Sequence, residues 1–301
     1  MTLRAFLLCL LALFPLYAGA EQVNERPILV EPQWLVNHLD DQNLVIIDAR
    51  PKSAYQVGHI KGAVSLSADS TARDETGQLL ALHVLQEIFR RSGVSADSLV
   101  IVYDDGSFHD AARLFWLFEV LGHAGKVAVL NAGYQEWIAA EYPITASAHA
   151  PAMTDFLVTV DPDRIGTKLA MRMALESPNK SIVDARSKAE YAGYAGDPYG
   201  RSGHIPGAIN IPGGHNRVKL QGSSRLKDLS ELGQIYSEIP TENQIYVYCD
   251  NGKDSALSYL ALRLVGRQAA VYGGGWLEWR NDPALPIQQS VQSGTNRQGV
   301  E

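Results

Sequence analysis

The chain has 301 residues, and its 26 basic and 33 acidic residues give a formal net charge of −7. Hydrophobic residues make up 46% of the sequence, enough to bury one or two cores without disulfides or metals. The acidic balance and the absence of a basic stripe argue against a nucleic-acid-binding protein, so no nucleic acid partner is expected.

The first twenty residues have the pattern of a secretory signal peptide. A positive start at Arg4 precedes an apolar run from Ala5 to Leu16, and Ala18-Gly-Ala20 forms a small-residue cleavage site. The apolar run is shorter than the roughly 20 residues that span a bilayer. We therefore predict that residues 1–20 are removed and that the protein is exported, to the periplasm if the source is Gram-negative, with no membrane span after cleavage.

The first half of the chain alternates strand-like and helix-like segments. Apolar runs predict strands at 44–47, 100–103 and 127–130. Helices are predicted over 51–57, 82–92 and 111–122. This alternation predicts an α/β fold with a parallel sheet between helices on both faces, and functional residues at the carboxyl ends of its strands.

Four motifs of the first half recur in the second half in the same order. The matched segments are 44–50 with 181–186, 58–63 with 203–208, 100–104 with 245–249, and 130–137 with 272–279. His59 precedes Asp104 by 45 residues, and His204 precedes Cys249 by the same 45. Repetition of this kind indicates two tandem domains of one fold.

The repeat also predicts the domain boundaries. The two domains cover residues 26–143 and 156–288, each with a central, mainly parallel sheet flanked by helices. Residues 144–155, rich in alanine, serine, threonine and proline, are predicted to link them. The polar residues 289–301 are predicted to form a disordered tail. The second copy has about nine extra residues, at 194–201.

Cys249 is the only cysteine left after removal of the signal peptide, which contains Cys9. A lone thiol in an oxidising compartment is a liability unless it has a function. Cys249 ends the strand-like run Ile245–Tyr248 and is followed by a polar loop and a helix-like segment from Ala256. A helix start places backbone N–H groups around the sulfur and favours a thiolate. The alternative is a buried structural cysteine.

Residues that recur in both halves are predicted to be mainly structural. They are the strand-end aspartates and arginines Asp48, Arg50, Asp184 and Arg186, the histidines His59 and His204, and the tryptophans Trp137 and Trp279. A residue needed equally in the copy without cysteine is not expected to be catalytic. Arg186 is the exception, because its guanidinium lies in the cysteine-bearing half and could face an anionic substrate.

The first half has Asp104 at the position of Cys249. An aspartate can act as a nucleophile in phosphoryl transfer. Neither a metal-binding cluster nor a Gly-Lys-Ser/Thr loop accompanies it in the sequence. We therefore predict that the first domain is a non-catalytic partner that forms one wall of the cleft.

These motifs resemble the tandem-domain rhodaneses, which are thiosulfate and 3-mercaptopyruvate sulfurtransferases. The shared patterns are Asp-x-Arg, Gly-His-Ile-x-Gly-Ala, Cys-x-x-Gly-x-x-Ser/Ala and Gly-Gly-x-x-x-Trp, and the resemblance extends from about Ile28 to Ile287. It implies an inactive first domain and a sulfur-carrying Cys249 in the second, which takes sulfur from a small anionic donor and passes it to an acceptor such as cyanide, a thiol or a protein. No metal or organic cofactor is implied.

The resemblance also implies the substrate-binding residues. They are Arg186 and the loop residues Asp250, Asn251, Gly252, Lys253, Asp254 and Ser255. The loop differs from that of cysteine phosphatases, which end in arginine at the sixth position after the cysteine, where this chain has Ser255.

The sulfur donor is left open by the sequence. Thiosulfate enzymes carry basic residues after the cysteine and mercaptopyruvate enzymes carry Gly-Ser, whereas this chain has Asp250-Asn251. A second substrate arginine of mercaptopyruvate enzymes would fall near Ala192. Arg201, Arg217 and Lys219 lie in segments expected near the cleft and could compensate. The alternative function is a rhodanese-fold persulfide carrier or protein-binding module with little turnover.

Overall fold

A computed structural model describes residues 27–69, 80–194, 201–220 and 222–290. The predicted signal peptide lies outside these residues, as do most of the 194–201 insertion and of the predicted tail, so these stay predictions. Among the residues described, no helix combines the length and the apolar character needed to cross a bilayer.

The first half forms one five-stranded sheet and a small antiparallel pair. Its strands are β1 (Leu29–Val30), β2 (Leu44–Asp48), β3 (His59–Ile60), β4 (Val64–Ser65), β5 (Leu99–Tyr103), β6 (Val127–Leu130) and β7 (Ile144–Thr145). The sheet has the order β1-β6-β5-β2-β4, and all its neighbours are parallel. Strand β3 pairs with β7, so the first residues of the predicted linker pair with the first domain.

Helices connect these parallel strands, as crossover connections require. They are α1 (Pro32–Val36), α2 (Lys52–Val57), α3 (Leu82–Arg91), α4 (His109–Phe118) and α5 (Tyr134–Ala139). Helix α4 begins two residues earlier than predicted and passes into a π-helical turn at Glu119–His123. Gly122, with φ of 90°, takes the left-handed conformation that glycine favours within this turn.

The second half repeats this topology. Its strands are β8 (Ile165–Gly166), β9 (Lys180–Asp184), β10 (Ile209–Asn210), β11 (Arg217–Leu220), β12 (Ser223–Leu226), β13 (Gln244–Tyr248) and β14 (Ala269–Tyr272). Its helices are α6 (Lys168–Ala174), α7 (Lys188–Ala192), α8 (Leu229–Ile235), α9 (Lys253–Leu264) and α10 (Gly275–Arg280). The parallel order β8-β14-β13-β9-β10 matches the first sheet strand for strand, which confirms two domains of one α/β fold.

Helices α4 and α9 pack against each other between the domains. Each has a run of eight consecutive buried residues, so neither shows the polar face of a surface helix. Glu119, at the end of α4, accepts hydrogen bonds from Arg164, Tyr259 and Arg263 of the second domain. Because both helices begin just after strand ends, this packing brings the Asp104 and Cys249 loops toward the same cleft.

Candidate active site

Cys249 directly follows β13 at the carboxyl end of the second sheet. Cys249 is 1% exposed, and its Sγ accepts a hydrogen bond from the Gly252 N–H at 3.0 Å. The Ser255 hydroxyl lies 3.4 Å from the same sulfur. Gly252 has a φ of 91°, and this left-handed turn allows α9 to begin at Lys253, directly beside the sulfur. The predicted helix-start cradle is therefore present.

Burial raises the pKa of the Cys249 thiol. Hydrogen bonds from Ser255 and Gly252 act in the opposite direction, while the nearby charge of Asp254 raises the pKa further. The helix start alone predicts a stabilised thiolate. The structure places that thiol in a site buried enough for desolvation to outweigh the hydrogen bonds.

Asp250 forms an acidic pair with Glu190 of α7. Its side chain is 37% exposed, and its Oδ1 lies 3.9 Å from Arg186 Nη1. Burial raises the pKa of Asp250 to about 6, and the hydrogen bond to Glu190 adds to this rise, while the positive charge of Arg186 opposes it. The residue after Cys249 thus changes charge near pH 6.

Lys253 and Asp254 face the first domain. Lys253 Nζ lies 3.9 Å from carboxylate oxygens of both Asp69 and Asp110. Asp254 Oδ1 lies 3.2 Å from His109 Nε2. These contacts place first-domain residues beside the Cys249 loop, and the role of the first domain as a wall of the cleft stays a prediction. No role is predicted from sequence for His109 and Asp110, although their positions at the start of α4, just after the counterpart of the Cys249 loop, were a signal.

Arg186 is held in a brace beneath the loop. Its Nε and Nη2 donate to the Asp184 carboxylate, at 3.0 and 2.6 Å, and Nη2 also donates to the Gly203 carbonyl at 2.8 Å. The guanidinium carbon lies 4.4 Å from the centroid of the Trp276 ring. Nη1 lies toward the loop, 3.9 Å from Asp250 Oδ1.

The first domain contains the same brace without a cysteine above it. Arg50 donates to Asp48 at 3.0 and 2.6 Å and to the Gly58 carbonyl at 2.8 Å. In each domain a buried tyrosine hydroxyl completes the network at 2.6 Å, Tyr103 with Asp48 and Tyr248 with Asp184. This repetition supports the structural interpretation of the Asp-x-Arg motif, and a contact between Arg186 and substrate stays a prediction.

The repeated histidines and tryptophans occupy structural positions. His204 stacks on Tyr191 and its Nδ1 lies 2.7 Å from the carbonyl oxygen of Tyr191, and His59 stands in the same way on Tyr55. Trp137 and Trp279 are fully buried. These positions agree with the sequence-based prediction that neither histidine is the general base.

Asp104 fills the position in the first domain that Cys249 has in the second. Its carboxylate accepts hydrogen bonds from the backbone N–H groups of Gly106, Phe108 and Ala111, at 2.8 to 3.2 Å. Burial raises the pKa of Asp104, and these N–H groups oppose the rise. The first-domain nest is thus occupied by its own side chain, which agrees with a non-catalytic domain.

Of the three cations expected near the cleft, Arg201 is engaged elsewhere. Its guanidinium donates to the carbonyl oxygens of Arg280, Asp282 and Leu285, and it anchors the end of the domain. Arg217 lies on the hairpin β11–β12 and donates to the Ser107 carbonyl of the first domain at 2.6 Å.

A family model for the Rhodanese-like domain matches residues 31–140 and 168–282. The chain belongs to the rhodanese family. The two matches correspond to the two structural repeats, so this rhodanese carries the domain twice.

Relatives of this rhodanese are sulfurtransferases. The 3-mercaptopyruvate sulfurtransferase of Escherichia coli is 30% identical, with 86% of this chain and 97% of that protein covered. The thiosulfate sulfurtransferase of Pseudomonas aeruginosa is 27% identical, over 88% of this chain and 98% of that protein. The crystal structure of SseA from E. coli, a 3-mercaptopyruvate sulfurtransferase, superposes with a TM-score of 0.73 at 28% identity, covering 83% of this chain and 99% of that one.

A second solved structure is a variant of EanB complexed with ergothioneine that is covalently linked to a cysteine persulfide. It has a TM-score of 0.76 at 25% identity, over 88% of this chain and 70% of that one. The rhodanese architecture is therefore shared with SseA and with EanB.

Proposed function

We propose that the protein is a sulfurtransferase that carries sulfur as a persulfide on Cys249. The observation that carries the proposal is the single thiol at the start of α9, with hydrogen bonds from Gly252 and Ser255 to its sulfur. The names of the relatives supply the reaction class, and the persulfide in EanB supports the intermediate.

The reaction takes two displacement steps. After the thiol loses its proton, the Cys249 thiolate attacks the outer sulfur of the donor, and the bond that held this sulfur breaks with its electron pair on the leaving group. The terminal sulfur then bears the negative charge, which the N–H groups at the helix start stabilise. An acceptor nucleophile next attacks that sulfur, the persulfide bond breaks, and the Cys249 thiolate returns.

A donor panel tests this proposal by turnover. Wild type and Cys249→Ser are compared with thiosulfate, 3-mercaptopyruvate and a low-molecular-weight persulfide, with cyanide as acceptor, and thiocyanate is measured. We expect wild type to produce thiocyanate with at least one donor and Cys249→Ser to produce none. If the two proteins give equal rates with every donor, Cys249 does not carry the sulfur.

The acidic surroundings of the loop favour donors with little negative charge. Asp250, Glu190 and Asp254 lie around or beside the loop, and only Lys253 within it is basic. A dianion such as thiosulfate must approach a thiolate and these carboxylates together. We therefore expect lower kcat/KM for thiosulfate, a dianion, than for 3-mercaptopyruvate or a singly charged persulfide.

The same acidic loop favours the second candidate, a persulfide carrier that serves a protein acceptor. The discriminating experiment loads Cys249 with labelled sulfur and offers cyanide, a small thiol and candidate acceptor proteins separately. Transfer to one protein but not to cyanide would select the carrier. Rapid transfer to cyanide would select the enzyme.

A further inference from the structure

A cavity of about 370 Å³ lies between the two domains, away from the sulfur-bearing loop itself. One wall is the first-domain loop that follows Asp104, and the other is the hairpin β11–β12 of the second domain. The residues that line it include Asp105, Ser107, Arg217, Lys219, Leu220 and Ser224. His109, at the start of α4 just after this loop, contacts Asp254 of the Cys249 loop. The cavity therefore adjoins the cleft that contains Cys249.

The hairpin is fixed to the first domain on both of its strands. Arg217 Nη1 donates to the Ser107 carbonyl at 2.6 Å. On the returning strand, Ser223 donates to Glu136 at 2.6 Å, and Arg225 donates to the same carboxylate at 3.0 Å. These bonds hold the hairpin against the first domain, and the bond from Arg217 to Ser107 joins the two walls of the cavity directly.

The cavity has a positive lining in an acidic protein. Arg217 and Lys219 contribute two positive charges and Asp105 one negative charge, which leaves a net charge of +1, while the whole chain carries −7. Asp105 Oδ1 also accepts a hydrogen bond from the Ser107 N–H at 2.9 Å, so one of its two carboxylate oxygens already has a partner. Leu220 is the one large apolar side chain among the described residues that line the cavity, so an apolar ligand is not favoured.

One hydrogen-bond donor in the lining lacks a partner. Arg217 Nε is buried and has no hydrogen-bond partner among the residues described. A buried N–H of a guanidinium without an acceptor is unfavourable, and a small shift of the Arg217 side chain toward an oxyanion would give it one. Ser224, a buried residue, and Lys219, an exposed one, line the same cavity, and both side chains carry hydrogen-bond donors.

We propose that this cavity binds a small oxyanion of sulfur, held by Arg217 and Lys219. The guanidinium and ammonium groups give this cavity a net positive charge, whereas the Cys249 loop has two carboxylates and one lysine, and oxyanion oxygens can accept from the planar donors of arginine. The assignment of a sulfur oxyanion rests on the proposed function, because such an ion is the donor or the product of the transfer. Anion binding itself does not depend on it.

Titration of the Cys249→Ser protein with thiosulfate, followed by amide NMR, tests the site without any sulfur transfer. We expect saturable shifts at the Gly106, Ser107 and Ser224 amides. Arg217→Gln should weaken binding about tenfold, in line with the loss of a charge-assisted contact. Arg91→Gln is the matched control, because Arg91 is an exposed arginine that pairs with Glu87 and does not line the cavity, and the affinity of this variant should be unchanged.

Lys219→Gln provides the second variant, because Lys219 is exposed and its loss leaves the hairpin contacts intact. It should weaken binding about threefold, as expected for a more exposed charge. The proposal would be overturned if the three amides showed no saturable shifts. It would also be overturned if Arg217→Gln, Lys219→Gln and the protein without either substitution bound thiosulfate with equal affinity. Shifts at the Gly252–Ser255 amides report separately on the Cys249 loop, so failure of the cavity and failure of the proposed function are distinguishable.

Discussion

The reactivity of Cys249 depends on a few polar groups that lie within its own loop. Burial and the charge of Asp254 raise the pKa of the thiol, whereas the hydrogen bonds with Ser255 and from the Gly252 N–H lower it. Thiolate formation is therefore a balance in which one side-chain change can be detected.

Opposite substitutions in this loop should shift that balance in opposite directions. Ser255→Ala removes a hydrogen bond and should raise the pKa of Cys249, and Asp254→Asn removes a negative charge and should lower it, each by about one pH unit or less. Both pKa shifts are measured from the pH dependence of the rate of Cys249 alkylation by iodoacetamide, whose midpoint gives the pKa of the thiol. Asp97→Asn, at an exposed site paired with Lys126, is the control. Shifts of the same sign would contradict this account.

Asp250 should make the use of anionic donors depend on pH. Because its pKa is raised to about 6, the carboxyl is largely neutral below pH 6 and charged above it. Asp250→Asn should therefore increase kcat/KM for thiosulfate severalfold above pH 6, by removing a charge repulsion of about 1 kcal/mol, and have little effect at pH 5. The ratio of kcat/KM in the variant to kcat/KM in wild type, measured across pH, tests this. The control donor is 3-mercaptopyruvate, whose single negative charge should give a smaller increase. A ratio independent of pH would refute it.

At the scale of elements, the Asp-x-Arg brace supports the strand ends of both sheets. Arg50→Met and Arg186→Met form a matched pair, because each leaves a buried aspartate without its partner. Each should destabilise the protein by about 3–5 kcal/mol, measured by urea unfolding. KM values measured on the folded protein separate the two roles. A raised KM in Arg186→Met without loss of stability would establish substrate binding and contradict the brace.

The long elements could be predicted from sequence, and the short ones could not. Predicted strands at 44–47, 100–103 and 127–130 agree with β2, β5 and β6 to within one residue. Two-residue strands such as β1 and β10 are too short to show a periodicity. The hairpin β11–β12 was also not predicted, because its alternation is weak and its partners lie in the other domain.

The same limit applies to the candidate site. The Cys249 loop was predictable because its residues are local and its counterpart at Asp104 marks the repeat. His109 and Asp110 reach the loop only through the packing of α4 on α9, which no local pattern reports. The raised pKa of the thiol follows from the burial that this packing creates.

At the scale of the whole molecule, a buried ionic cluster joins the domains. Glu119 is 1% exposed and contacts Arg164, Tyr259 and Arg263 across the interface. Glu119→Ala leaves two arginines without their shared carboxylate, and we expect a loss of about 3–5 kcal/mol in unfolding free energy. Urea unfolding measures it, with Glu87→Ala, an exposed helical ion pair, as the control. Equal stability of the two variants would show that the cluster does not hold the domains together.

The central claim, that Cys249 carries the sulfur, is tested most directly by locating that sulfur. Protein treated with thiosulfate, 3-mercaptopyruvate or a persulfide is digested, and the peptide that contains Cys249 is weighed before and after addition of cyanide. We predict that this peptide gains the mass of one sulfur atom and loses it to cyanide or to a thiol, and that Cys249→Ser shows neither change. If no donor adds sulfur to this peptide, or if the Cys249→Ser peptide gains it equally, the account is contradicted.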